Sequence, residues 1–460
     1  MFDYFRGALR RFAAAVLVAN GVFAALPAAG AEWRVGLAAA KITPEGPIRM
    51  AGYASRNKPS EGVLADLYAE AMAIEDADGH RAVLLTSDVI GYNRAVADMI
   101  FARITKQTGL TRPQILLSCS HTHTGPVIGI AGATTYSMPA EDAKRVHEYA
   151  ERLAGELVEL SAAALADLKP AELSFGVGKA GFVMNRRLLT DRRVRMAANR
   201  EGNTDSAVPV LRVDGPDGAM RALLFGCACH NTTLTGKHYE ICGDYAGFAK
   251  QHVEAEHPGA EAMFMIGCGA DANPHPRGEV DHARQHGKTL GAEVCRVAAG
   301  KLRPVRGPLG TLLGRAVAPL QPVPPREELE KLVKGPGYLA YNYRRMLEAL
   351  DKGEPLRTTY DVPIALWQFG EDLTLVALSG EVVSEYVPLI QEAVGPENLW
   401  IAAYCNDAFG YLPTKKILRE GGYETRCLIT EAGFFAPEAE DAVVAAVRRL
   451  AEAAGRPIPE

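Results

Sequence analysis

Two histidines one residue apart, His121 and His123, stand in the run Ser120-His121-Thr122-His123-Thr124-Gly125-Pro126. In an extended segment side-chain direction repeats every two residues, so both imidazoles point the same way. Neutral imidazole is the commonest metal ligand. One ring could bind a metal while the other faces a substrate, or both could bind. A pair of hydrogen-bonded, half-buried histidines would look the same in sequence, and two histidines do not make a metal site, which needs three or four ligands. The hydroxyls of Ser120, Thr122 and Thr124 are candidates for orienting the rings, and Gly125-Pro126 bends the chain sharply.

The elements that must position these groups are apolar strands with polar endings. Ile115-Leu116-Leu117-Ser118-Cys119 runs into the histidine pair, and Leu223-Leu224-Phe225-Gly226 into His230. Met263-Phe264-Met265-Ile266 runs into a loop containing Asp271, and Leu375-Val376-Ala377-Leu378 into Gly380-Glu381. Ligands collect at strand ends in layered α/β folds, so four such endings predict one convergent site. Around them strand-like and helix-like segments alternate. Trp33 to Ile42 reads as an opening strand, and Ala69 to Glu75 with Arg81 to Ile90 as a hairpin about Asp-Ala-Asp-Gly. Helical periodicity covers Asn93 to Gly109, Pro139 to Leu168, Tyr245 to His257, Asp281 to Leu302 and Pro437 to Ala454. The expected fold is α/β (mixed α+β): layered mixed β-sheets flanked by helices in a single catalytic domain over residues 32–460. Residues 304–361, rich in Pro, Lys and Glu, read as an insertion covering one side of it.

Composition adds bounds. With 48% hydrophobic and 23% charged residues the 460-residue chain has an ordinary globular balance. A net charge of -5 without a basic stripe gives no reason to expect nucleic acid as a partner. Residues 1–31 differ: Arg6, Arg10 and Arg11 precede an apolar run from Phe12 to Leu26, then Pro27 and Ala29-Gly30-Ala31. This is the three-part pattern of a secretory signal peptide with cleavage after Ala31, which implies a secreted or periplasmic protein. The apolar run is shorter than the ~20 residues of a spanning helix. Removing the segment takes away three Arg and one Asp, leaving -7. Export permits disulfides, but eight cysteines in a chain with this large a core are not a disulfide scaffold. Cys227-Ala228-Cys229, in an apolar strand, fits the core better than a metal pair.

The motif Ser-His-Thr-His-Thr-Gly-Pro resembles the Thr-His-Thr-His-Ser-Gly-Pro of the neutral ceramidases, zinc amidases that cleave the N-acyl bond of ceramide. The resemblance continues in segments from Gly36 onward, in order and with similar spacing. Ala51-Gly52-Tyr53, Thr86-Ser87-Asp88, His230-Asn231-Thr232-Thr233, Gly243-Asp244-Tyr245-Ala246-Gly247, Ser379-Gly380-Glu381, Gly410-Tyr411-Leu412-Pro413-Thr414 and Tyr423-Glu424 each match a family segment. It implies Zn2+ held by His121, His230, Glu381 and Tyr411. It also implies substrate contacts from His123, Arg186 and Tyr423, with hydrolysis by attack of zinc-activated water on the amide carbonyl. Zinc with Tyr423 or Arg186 would stabilise the oxyanion, and His123, then Tyr423, would be the acid that protonates the leaving amine. By residue type alone, Tyr411 would be a turn aromatic, Glu381 a loop acid, and Arg186-Arg187 with Arg192-Arg193 a charged surface.

Two departures from the family pattern matter. Its Gly-Asp-Val-Ser-Pro is here Ala270-Asp271-Ala272-Asn273-Pro274. Asp271 and Pro274 are kept, but Asn273 cannot act as a nucleophile, although it could donate an N–H to substrate. The family's additional β-sandwich domain is also expected to be missing, because the sequence ends soon after the terminal helix. His275 is an extra imidazole nearby that reads as a loop residue. The expected partner is a small-molecule or lipid substrate, with peripheral membrane contact. Two alternatives stand beside the ceramidase reading: a same-fold zinc hydrolase of a different amide or ester, and a non-catalytic zinc-containing binding protein.

Overall fold

The computed structural model describes residues 32–129, 138–191, 193–335, 338–425 and 433–459, without the side chains of 338, 339 and 341. The signal-peptide segment, Arg192 and Cys427 lie outside the described residues. Period-two alternation in the strands is resolved into two cores. In Arg81–Ser87, Ala82 and Leu84 face one way and Val83 and Leu85 the other; in Met220–Cys227, Ala222 and Leu224 oppose Leu223 and Phe225. Strands buried on both faces must be covered on both faces.

They are covered by a second sheet on one side and helices on the other. The main sheet orders its strands Glu261–Ile266, Met220–Cys227, Ala207–Asp214, Lys169–Lys179, Trp33–Lys41, Tyr68–Asp76, Arg81–Ser87 and Ile115–Leu117, with Arg303–Val305 pairing Lys169–Lys179. The second sheet is Leu309–Pro319, Thr359–Phe369, Leu373–Leu378 and Leu399–Ala402. Between them lies a core of strand residues including Trp33, Met72, Leu84, Phe175, Trp367, Leu375 and Trp400. On the outer faces helices Arg94–Thr108, Ala140–Ala166, Asp244–Glu256 and Val280–Ala298 cover the main sheet, while Ala439–Ala453 lies on the second. The result is a four-layer helix–sheet–sheet–helix stack, in agreement with the layered mixed class.

The helix Arg94–Thr108 is capped at both ends. Asn93 Oδ1 accepts from Val96 N at 3.0 Å to open the first, and Gly109, at φ 75, closes it. Residues 304–361 begin as sheet: Leu309–Pro319 pairs over its whole length with Thr359–Phe369. Helices Arg326–Leu332 and Tyr338–Asp351 occupy the stretch between. No helix of the described residues is long and apolar enough to cross a membrane.

Three parallel pairs position the site: Arg81–Ser87 with Ile115–Leu117, Met220–Cys227 with Glu261–Ile266, and Leu373–Leu378 with Leu399–Ala402. Their carboxyl ends are stitched together. Ala403 N donates to Ile266 O at 3.0 Å and Asn406 N to Leu117 O at 2.8 Å. Leu117 N donates back to Asn406 Oδ1 at 3.2 Å, so a side chain continues the sheet where the strand stops.

Candidate metal and active site

The four polar strand endings meet. His121 leaves Ile115–Leu117 with φ 56, a left-handed conformation that costs a non-glycine residue ~1 kcal/mol or more. Its Nδ1 lies 2.6 Å from Ile90 O, and His230 Nδ1 lies 2.9 Å from Gly269 O. A carbonyl only accepts, so each Nδ1 carries the proton and each Nε2 keeps its lone pair. Those Nε2 atoms face Glu381 Oε2, at 3.6 Å from His121 and 3.2 Å from His230. His230 Nε2 and Glu381 Oε2 are buried without a hydrogen-bond partner. Burial lowers His121 to about 4 and holds His230 and His123 well below the ordinary imidazole value, so all three rings are neutral near pH 7. Two neutral imidazoles oriented by backbone carbonyls, beside an unsatisfied carboxylate oxygen, fit a divalent cation with N/O preference such as zinc.

Backbone carbonyls, not the flanking hydroxyls, orient the rings. Thr122 and Thr124 donate instead to Cys242 O, at 2.8 and 2.7 Å. That is a correction to the expectation from sequence, and its cause is direction: alternate residues face away from the imidazoles, toward the Cys242 backbone.

Glu381 and Tyr411 are opposite residues in a two-residue parallel pair, so they share a face. Tyr411 Oη accepts from Arg186 Nη2 at 2.9 Å. His123 Nε2 is 3.1 Å from His121 Nε2, and His121, His123 and His230 together form a group that could hold a metal ion. Geometry alone thus admits His123 as a ligand too. Its ring lies against Tyr53, centroids 5.1 Å apart. Gly52, at φ 90, leaves room for it: a Cβ there would come within 2.3 Å of His123 Nδ1.

Arg186 is no surface residue. It and Arg187 are buried, and both bind the buried Glu424: Arg186 Nε at 2.8 Å and Arg187 Nη1 at 2.6 Å. Burial raises the Glu424 carboxyl, but the two guanidiniums outweigh it and hold the group below its ordinary value. Arg186 Nη1 donates to Asn273 Oδ1 at 3.3 Å, and Thr232 Oγ1 does so at 3.0 Å. Arginine cannot accept, so the amide orientation is set and Nδ2 remains the donor. Tyr423 packs edge-on to Tyr411 at 5.4 Å. Asp271 is engaged differently. Its carboxylate accepts from Ser384 N (2.7 Å), Ser384 Oγ (2.9 Å) and Asn185 Nδ2 (3.3 Å), tying the Arg186 strand to the Glu381 segment. It positions the site and does not face the histidines' free nitrogens. His275 is exposed.

Residues that sequence reasoning missed are Tyr404, Asn231 and the partner role of Glu424. Tyr404, at φ 58, sets its ring 4.3 Å from that of His121. Asn231 Nδ2 donates to Ser120 O, its Oδ1 accepts from Ala246 N (3.2 Å), and its carbonyl accepts from His123 N (3.1 Å). One residue thereby joins both histidine segments to the helix Asp244–Glu256. Adjacent arginines needing a buried acid were the available signal for Glu424, and Asn231 stands in the segment that follows His230; Tyr404 had none.

Comparison with known proteins follows the same line. Residues 33–283 match the family described as neutral/alkaline non-lysosomal ceramidase, N-terminal. A neutral ceramidase of Pseudomonas aeruginosa is 28% identical over 228 residues, 48% of this chain and 33% of that protein. Neutral ceramidase B of Dictyostelium discoideum is 23% identical over 246 residues, 50% of this chain and 34% of its own length. The chain thus spans about a third of the curated relatives it matches. The crystal structure of neutral ceramidase from Pseudomonas aeruginosa superposes with a TM-score of 0.70 at 20% identity, covering 92% of this chain and 75% of the other. At that identity the likeness concerns the fold.

Proposed function

This chain belongs to the neutral/alkaline non-lysosomal ceramidase family, and from that premise we propose that it is an exported zinc amidohydrolase cleaving the N-acyl bond of ceramide or a related N-acylated lipid. The observation that carries the reading is the convergence of His121 Nε2, His230 Nε2 and Glu381 Oε2, the last two buried and unpartnered. Those three with Tyr411 would hold zinc. When bound, zinc supplies a Lewis acid and lowers the pKa of water toward neutrality.

The chain's own residues account for the rest. His123 is neutral at rest, so it can give the leaving amine a proton only after taking one from the attacking water. Asn273 Nδ2, Arg186 and Tyr423 would offer donors to the carbonyl oxygen as charge develops on it, and donors fixed in advance cost no reorganisation there. Burial opposes the Arg186 charge, but Tyr411 and Glu424 keep it fully protonated. Carboxylate and free amine are the products.

Asn273 favours a second reading, a different amide or ester substrate, because a donor-only N–H replaces the family's hydroxyl. Side-by-side turnover of fluorescent ceramide and short N-acyl substrates separates the two. Absence of stoichiometric metal from the purified protein, or intact hydrolysis in His121→Ala, would sink the zinc reading. Metal-dependent turnover lost in Glu381→Ala would exclude a non-catalytic binding protein. N-terminal sequencing of the exported protein, expected to begin at Glu32, checks the signal peptide.

A further inference from the structure

The strand that carries Arg186 continues past the site into a hairpin. Val183–Leu189 pairs antiparallel with Val194–Asn199, which is exposed along most of its length. At the turn Thr190 N donates to Arg193 O (3.1 Å) and Thr190 Oγ1 to the same carbonyl (2.6 Å). The inner half of the hairpin is buried through Asn185, Arg186 and Arg187. The outer half exposes Leu188 at 36%, Leu189 at 58% and Met196 at 53%. Register places Leu189 opposite Val194 and Arg187 opposite Met196, so Leu189 and Met196 share a side, while Leu188 lies with Arg195 on the other, and the tip is apolar on both.

The outer half of the hairpin is basic. From Leu188 to Met196 the sequence carries Arg192, Arg193 and Arg195 against the single acid Asp191, in a chain of net charge -5. Arg193 and Arg195 are exposed. A few large apolar side chains beside guanidiniums suit the boundary between acyl chains and anionic headgroups. A protein partner suits it less: an ordinary interface buries roughly 800 Å² per side, more than a hairpin tip offers. A second copy would bring Arg193 and Arg195 against themselves.

We propose that the hairpin around Leu188, Leu189 and Met196 docks this protein on an anionic lipid surface, with the Arg186 end of the same strand held next to it. The docking would serve the lipid-substrate reading, on which its purpose rests. The surface property is tested without turnover. The mature full-length chain is floated with vesicles of phosphatidylcholine alone or mixed with phosphatidylglycerol. Wild type should float with the mixed vesicles and be released by high salt. Leu189→Asp with Met196→Asp should weaken association about tenfold or more. Arg193→Glu with Arg195→Glu should abolish the preference for anionic vesicles. Hydrolysis of a soluble short-chain N-acyl substrate and the thermal midpoint should be unchanged in both variants. Wild-type vesicle binding by the Asp variant, or no binding by wild type, overturns the proposal. So does a dimer-to-monomer change in the Asp variant without lipid, which would assign the tip to a second copy. If wild type floats but turns over no N-acyl substrate, docking stands and the catalytic reading fails.

Discussion

His121 and His230 each spend Nδ1 on a backbone carbonyl and keep Nε2 for the site, whereas His123 Nδ1 is buried without a partner. This asymmetry supports dividing their roles. In His121→Ala or His230→Ala, stoichiometric zinc should be lost on metal analysis. In His123→Ala zinc should be retained while kcat falls ~100-fold or more; loss of zinc there would make His123 a ligand instead. Glu424 gives a second prediction. Glu424→Gln keeps the shape but leaves two buried guanidiniums short of their shared counter-charge. Breaking such a pair costs about 3–5 kcal/mol, so the urea midpoint should drop and kcat should fall with it. A stable Glu424→Gln enzyme with wild-type kcat would detach Arg186 from the role assigned to it.

The turn Ala51-Gly52-Tyr53 acts at the scale of elements. Ala51 N donates to Gly125 O at 3.0 Å, and Arg56 Nη1 donates to both Ala51 O and His123 O at 2.6 Å. Gly52 combines φ 90 with contact against the His123 ring. Gly52→Ala must therefore strain the backbone and displace the imidazole, at a cost of ~2 kcal/mol or more. The expected result is a lower kcat with zinc content preserved; an undisturbed kcat would show that the His123 position is not critical. The apolar strands with polar endings are legible in the sequence, because burial on both faces leaves a continuous apolar run. The strands Lys169–Lys179, Ala207–Asp214 and Leu309–Pro319 were passed over. In the first, Ala171, Leu173 and Phe175 alternate with Glu172, Ser174 and Gly176 and are the buried positions, so the signal was there; in Leu309–Pro319 glycines interrupt the pattern and pairing with a neighbour makes the strand.

At the scale of the whole molecule, burial sets responses to pH and oxidation. His121 binds a proton more readily unfolded, near 6.5, than folded, at about 4. Its contribution to stability is thus present above pH ~6.5 and lost as pH falls toward 4. The thermal midpoint of the metal-free protein should decline over that window and be flatter above it; His121→Gln should reduce the slope. Six free cysteines, Cys119, Cys227, Cys229, Cys242, Cys268 and Cys405, are buried. Burial raises each thiol, which suppresses the reactive thiolate. These six should resist a thiol reagent until guanidinium unfolds the chain; rapid native labelling would contradict their placement.

Local pattern was enough to read the helices, the end of the first at Gly109, the apolar runs ending in His121, His230, Asp271 and Glu381, and the resemblance those endings carry. Tertiary structure decided which atoms face which. It turned the Thr122 and Thr124 hydroxyls onto Cys242 O, used the Asp271 carboxylate as a brace on Ser384, and buried Arg186 and Arg187 around Glu424, 238 and 237 residues away. Periodicity reports which side of an element is apolar, because burial acts on each residue locally. A hydrogen-bond partner across the molecule depends on where two distant backbones are brought together, and neither segment alone records that.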